Sequence, residues 1–492
     1  MNNTHKYMIK IVSSLLLIVV LTNCKKDIPA PPATSPIPVA NEVNSFVYDG
    51  LKNYYLWTAQ VPNLTAQKYT IPDSLNAFLN SYTDPAKLFT SLLYQYKIID
   101  KWSFIVDDSK VIDNWIQGIS ETMGFDFMLA RIGTSDDVFG FVRYVFKGSP
   151  AEKAGIKRGD LFMKVNDQQL TVNNYQTLLF TNVTYTLSMA SITGNTISMN
   201  GASVTMTAVQ MQENPIYLDT VLNVDNYKVG YLVYNAFNAD FNLELNDVFK
   251  RFKDAGIDKL VLDLRYNGGG SVQTAVYLAS MIHGTSTSQV FIKSQYNTAL
   301  QDYYVKTYGA STLIDNFTDK IAKTATTAET PINTLNLNQL YVITSDNTAS
   351  ASELLINGLK PYMQIFDVGI NTAGKYVGST TIRDWDANGN INPNHKWAMQ
   401  PIIVKIANSQ GVSDYVDGLA PDYSAEEDFA NLIPFGDQNE PLLRVVLNDI
   451  KGLPLAGKKS LKSEQLGLTK VFDAQDIRPF SKQMYINTIQ KK

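Results

Sequence analysis

Cysteine occurs once in the 492 residues, at position 24, so no disulfide can form within the chain and stability has to come from packed cores. Histidine is nearly as scarce, with His5, His283 and His395 only, so a Ser-His-Asp triad is poorly supplied. No basic run of the kind that follows a nucleic-acid backbone is present, and the formal net charge is −4, which gives DNA or RNA no footing. Beyond the first two dozen residues no stretch of 18 uninterrupted apolar residues occurs, so no later segment reads as a membrane span. No internal repeat is found. What the chain does have is 45% hydrophobic and 18% charged residues, with 27 Tyr and 22 Phe, the composition of a folded protein long enough for two or three cores.

Residues 1–23 read as a secretory signal. His5, Lys6 and Lys10 form a basic start, and Ile11 to Thr22 is an apolar core too short for a stable span. It ends in "LTNC", which resembles a bacterial lipobox and makes Cys24 the expected lipidation site; the alternative is a generic signal with an incidental cysteine. Removing residues 1–23 takes away two lysines and no acid, leaving about −6. Residues 24–40 carry five prolines in "KKDIPAPPATSPIP" and read as an extended tether. The expected address is therefore the bacterial cell envelope, lipid-anchored on an extracytoplasmic face.

Residues 41–102 show apolar spacing of three and four and read as a small helical domain, with Tyr54, Tyr55 and Trp57 in its core. Residues 103–212 change to short strands and turns. There "MGFDFML" precedes "GFVRYVFKGSPAEKAGIKRGDLFMKVNDQQL", a strand, a short helix at "SPAEKAG", a turn at Arg158-Gly159-Asp160 and a strand. The run resembles a PDZ domain. That resemblance makes Met123, Gly124, Phe125, Asp126 and Phe127 the loop whose backbone N–H groups hold a peptide's C-terminal carboxylate, while the peptide adds as a strand; otherwise "GFDF" is an ordinary strand start. In residues 213–452 strands and helices alternate, as expected of an α/β core. Residues 453–492 form a C-terminal tail with no evident role.

Within the α/β region "GINTAGKYVGST", residues 369–380, carries the G-x-x-x-x-G-K spacing of a phosphate loop. A phosphate loop needs Ser or Thr after the lysine and then a helix, whereas Tyr376 follows and "YVGSTTI" is β-branched. Nucleotide binding is set aside. In "YVITSDNTASASELLINGL" Ser350 lies where a strand and polar loop meet a helix, a place that favours developing negative charge. The same residues, S-x-x-E from Ser350 to Glu353, make an ordinary capping box. A nucleophilic serine needs a base, and a lysine serves if burial brings its pKa down from about 10.4. Lys375, flanked by Ala373-Gly374 and Tyr376-Val377, is placed for such desolvation.

"TASASELLINGL" followed by "AGK" resembles the carboxyl-terminal processing peptidases, serine proteases of the S41 family, whose catalytic lysine lies 25 residues beyond the first serine of S-A-S-E, as Lys375 does from Ser350. "VLDLRYNGGG" is similar to the family's "DLRxNPGG", with Gly268 for proline, which loosens the loop. "GYLVYNAF" and "YVDGLAPDY" are similar to two further family segments. The resemblance covers roughly residues 105 to 450. It implies a multidomain α/β protein: an N-terminal helical domain, a β-rich PDZ domain with short helices, and a ClpP/crotonase-like α/β peptidase core. It further implies a serine-type endopeptidase with Ser350 as nucleophile, Lys375 as base, and an oxyanion held by the N–H groups of Ala351 and Gly269. Ser379 stands where many members carry a glutamine that orients the lysine, and Ser352 is left to help cap the helix. Substrates would be proteins or peptides recognised at their C-termini, with no cofactor.

Finally, "DWDANGNINPNH", residues 384–395, has the alternating acids of a calcium loop but ends in His395 where a bidentate Glu belongs, and Asn388-Gly389 suits a hairpin turn. A hairpin is favoured and no metal site is expected. Two rivals to the dyad remain: a non-catalytic PDZ peptide-binding lipoprotein, and a hydrolase of the same fold with His283 as base.

Overall fold

The computed structural model describes residues 37–284, 286–386, 388–455, 461–478 and 480–486. The signal segment and Cys24 lie outside them, as does all of the tether but its last few residues.

Helix Glu42–Tyr54 starts where the Asn41 side chain accepts the N–H of Val43 at 2.9 Å. With Pro72–Asn80 and Pro85–Ser91 it encloses Val47, Leu51, Tyr55, Leu88, Phe89 and Leu92. Ile382 and Met399 of the downstream core complete this cluster, so the helical unit is seated on the rest of the molecule. Tyr55 is buried with its hydroxyl on Asp100 at 2.7 Å, and Trp57 packs edge-on against it.

The PDZ part is an antiparallel sheet in the order Leu468–Asp473, Phe125–Ile132, Val138–Val145, Leu161–Val165, Thr184–Thr193, Thr196–Thr207. Its first strand comes from the far end of the chain. Pro150–Lys153 is the short helix expected at "SPAEKAG", with the Ser149 hydroxyl capping the Glu152 N–H at 3.1 Å. Val138–Val145 is buried throughout, because one face meets the domain's own core and the other meets Phe429 and Tyr266.

The α/β part has two six-stranded sheets. In the first, Tyr227–Tyr234, Lys259–Asp263, Gln339–Thr344 and Gln364–Gly369 run parallel, flanked by Ile216–Val224 and Tyr423–Ser424. Helices Asn242–Ala255, Val272–Ile282 and Ala351–Leu359 cover one face and Pro441–Ile450 the other. Burial on both faces explains why these strands read as continuous apolar runs. The second sheet is assembled from Gly270–Ser271, Met484–Tyr485, Val377–Ser379, Ile402–Asn408, Val290–Tyr296 and Ile314–Asn316. Ile382–Arg383 and Ala398–Gln400 pair antiparallel, and Trp385 bridges Ile391, so the 384–395 segment is the tip of a hairpin.

Candidate active site

Strand Gln339–Thr344 ends in a tight loop that delivers Ser350 to the start of helix Ala351–Leu359. Ser350 has φ 61° and ψ −114°, a backbone region that costs on the order of 1–3 kcal/mol for a residue with a side chain. The capping box is present at the helix start, where the Ser350 N–H donates to Glu353 Oε2 at 2.8 Å. The Ser350 hydroxyl donates to the carbonyl of Lys482 at 2.9 Å. The Ser352 hydroxyl donates to the Asn267 carbonyl at 3.0 Å.

Glu353 was legible only as a cap, yet it ties the two halves of the site together. It also accepts the N–H groups of Gly374 (2.6 Å) and Lys375 (2.8 Å) and the Thr372 hydroxyl (2.5 Å). Burial pushes its carboxyl up, and these donors oppose that. Gly374 has φ 83°, and a Cβ there would lie 2.3 Å from the Val416 carbonyl oxygen, so glycine is required for the chain to turn Lys375 inward. Strand Val377–Ser379 follows, not a helix, which removes the remaining ground for a phosphate loop.

Lys375 is fully buried. Desolvation holds its amine well below the usual lysine range, against the opposing pull of Asp100 and Glu353. The amine sits 4.9 Å over the Trp102 ring and donates to Gln483 Oε1 at 2.5 Å. Asp100 and Trp102 belong to the end of the helical domain, and Gln483 to the C-terminal tail. Sequence reasoning missed all three, because nothing local announces contacts across such separations. Ser379 does not orient the lysine here: its hydroxyl donates to the Met484 carbonyl at 3.0 Å and accepts from Gln400 at 3.1 Å. At two bonds from the backbone it reaches its own strand neighbours, and the longer Gln483 side chain reaches the amine.

The glycine loop is ordered without the family's proline. The Asn267 side chain donates to the Tyr234 carbonyl at 2.8 Å, and Phe237 exchanges backbone bonds of 2.8 Å with Gly269 and Ser271. Gly269 has φ 105°, and a Cβ there would lie 2.5 Å from that of Ser350. Its N–H, however, donates to Asn267 Oδ1 at 2.9 Å and is not free for an oxyanion in this conformation. The Ala351 N–H stands at the helix start beside Ser350.

The other expected residues lie elsewhere. Met123, Phe125 and Phe127 are buried in the PDZ core, Gly124 has φ 82°, and the Asp126 carboxylate is paired with Arg143 at 2.5 Å and Arg478 at 3.0 Å. His283 bonds the Leu337 carbonyl at 3.3 Å and packs on Phe317 and Tyr362, none of them part of the site. His395 bonds Asp384 at 3.1 Å. The carboxylate of Asp386 is taken by the N–H groups of Asn388 and Asn390, and among the described residues no cluster suits a metal ion.

A strained serine and a buried lysine thus stand on one α/β core, with a PDZ sheet beside it. The model of peptidase family S41 matches residues 228–425, that of the S41 N-terminal domain residues 42–104, and that of a PDZ domain residues 141–182. The chain belongs to peptidase family S41. A CtpA-like serine protease of Staphylococcus aureus (strain bovine RF122 / ET3-1) is 28% identical over 243 residues, which is 48% of this chain and 41% of the relative. One from Staphylococcus saprophyticus is 25% identical over 325 residues, 61% of this chain and 56% of the relative. The chain thus spans about half the length of the curated relatives it matches. A crystal structure described as a candidate S41 protease from Bacteroides fragilis NCTC 9343 superposes with a TM-score of 0.64 at 26% identity, covering 83% of this chain and 97% of that one.

Proposed function

We propose that the chain is an extracytoplasmic serine endopeptidase, anchored through lipid on Cys24, that works with a Ser350–Lys375 dyad and takes protein substrates by their C-termini through its PDZ groove. The observation that carries this reading is the state of Lys375: fully buried, pushed toward the neutral amine, and on a backbone that Glu353 locks to that of Ser350. Only a neutral amine can take the serine's proton. In the reaction Ser350 Oγ attacks the peptide carbonyl and Lys375 Nζ accepts the proton. The oxyanion is held by the Ala351 N–H and, after its release from Asn267, by the Gly269 N–H. Collapse expels the amine, which takes the proton from Lys375, and water attacks the acyl-enzyme by the same proton route.

The test is hydrolysis of casein by the chain from Lys25 onward, in wild type, Ser350→Ala, Lys375→Ala and His283→Ala forms. The first two substitutions should each lower kcat/KM by at least three orders of magnitude, and the third should leave it within a factor of two. Activity surviving in Lys375→Ala sinks the dyad. Loss in His283→Ala instead would bring back the histidine reading.

A further inference from the structure

The tail left without a role runs through both sites. Leu468–Asp473 lies along the free edge of the PDZ sheet, antiparallel to Phe125–Ile132, with Leu468 opposite Ile132 and Asp473 opposite Met128. It therefore advances toward the Met123–Phe127 loop, the direction a strand-adding PDZ ligand takes. Phe472 fills the apolar groove between that strand and helix Tyr175–Phe180, with ring centroids 6.3 Å from Phe127, 5.2 Å from Tyr175 and 5.4 Å from Phe180. Gln475 and Arg478 bond Asp126 at 2.8 and 3.0 Å.

A ligand would end at that loop, but the tail continues into the catalytic cleft. Met484 and Tyr485 pair in parallel with Gly270 and Ser271 on one side, and Tyr485 with Ser379 on the other. The Lys482 carbonyl takes the Ser350 hydroxyl, Gln483 takes the Lys375 amine, and Gln483 Nε2 donates to the Trp102 carbonyl at 3.1 Å. Ser350 and Lys375 are both 0% exposed in this state, so no substrate reaches them.

The contacts are those of a plug. Ser350 Oγ donates to the Lys482 carbonyl oxygen. The Lys375 amine is spent on Gln483, and the Gly269 N–H on Asn267. Nor is the tail a substrate copy. A substrate held by its C-terminus in the groove offers upstream residues to Ser350, whereas the tail offers residues downstream of its groove strand.

We propose that residues 468–478 and 480–485 are an intramolecular ligand of both sites that keeps the chain latent. A protein with an apolar C-terminal strand displaces Phe472 from the groove and so draws Lys482 and Gln483 off Ser350 and Lys375. The inference rests on the Ser350–Lys375 reading of the site. Tethering gives the tail a millimolar-range effective concentration, so only a ligand that holds the groove well opens it.

The test uses the chain from Lys25 onward with Arg131→Cys and Thr469→Cys, residues opposed across the strand pair, so that oxidation pins the tail and reduction frees it. Two readouts are taken in each state: casein hydrolysis, and binding of a fluorescein-labelled peptide with the sequence Thr469 to Ala474. The reduced form should exceed the oxidised form at least tenfold in both. Equal, measurable hydrolysis in the two states overturns the proposal, as does peptide binding that is equal or absent in both. Peptide binding gated by oxidation with no hydrolysis in either state upholds the tail as the groove's ligand and refutes the peptidase reading alone. Gln483→Ala in the reduced form should exceed its parent, because it removes the tail's hold on the Lys375 amine. A tenfold loss there with an unchanged melting temperature makes Gln483 a lysine-positioning group and overturns the plug.

Discussion

Glu353 accepts the backbone N–H groups of Ser350, Gly374 and Lys375 together with the Thr372 hydroxyl, and it is fully buried. Glu353→Gln keeps the shape but turns an N–H₂ group against donors. Each buried group left unsatisfied costs about 1–3 kcal/mol. The melting temperature should fall by several degrees and, because the Ser350 and Lys375 backbones are no longer registered, kcat/KM by about two orders of magnitude. Unchanged kinetics in a stably folded Glu353→Gln protein would reduce the residue to a helix cap. Lys375 has the opposite effect on stability. Its folded-state pKa is depressed by burial, so below the ordinary lysine range the unfolded chain binds a proton more readily than the folded chain, and stability rises as pH climbs toward that range. Lys375→Met should therefore be more resistant to urea than wild type at pH 7, with the gap closing by about pH 10. The same depression predicts that kcat/KM rises with pH through a midpoint well below that of a free lysine.

Among the elements, the glycine loop sets how far the site tolerates change. Gly269→Ala meets both a positive φ and the Ser350 Cβ at 2.5 Å, so it should abolish hydrolysis with little loss of fold, as read by casein cleavage and circular dichroism. Much at this scale was legible beforehand. The strand, loop and helix around Ser350, the strand after Lys375 and the hairpin at Asn388-Gly389 each carry their own periodicity or turn chemistry. The second sheet was not, because Gly270–Ser271 and Met484–Tyr485 are two-residue strands too short to show a period. Trp102 and Asp100 were hidden for another reason: they close over the lysine from a domain read as separate. The S-x-x-E pattern did mark Glu353, but a local pattern cannot show that its carboxylate also binds a loop some twenty residues on.

At the scale of the whole molecule, a buried ion cluster joins the PDZ domain to the core next to the glycine loop. Arg158 of the PDZ turn bonds the Ile433 carbonyl at 2.8 Å, the Tyr266 hydroxyl at 2.9 Å and Glu427 at 2.6 Å. Arg265 bonds Glu427 and Glu440, both at 2.7 Å, and pairs with Asp263. Burial pushes the Glu427 carboxyl up, but Arg158 and Arg265 pull it down further, to about 2. A depressed carboxyl contributes stability that is present above its unfolded value of about 4.3 and is lost as pH falls through the folded one. Wild type should therefore lose urea resistance between roughly pH 4.3 and 2 more steeply than Glu427→Gln. At pH 7 the variant should be less stable, because Arg158 and Arg265 lose one charged partner while Arg265 keeps Asp263 and Glu440. Tyr266 directly precedes Asn267, so the variant should also lower kcat/KM by loosening the loop that holds Gly269. Parallel acid profiles for the two proteins would show that the PDZ domain is held to the core by packing alone.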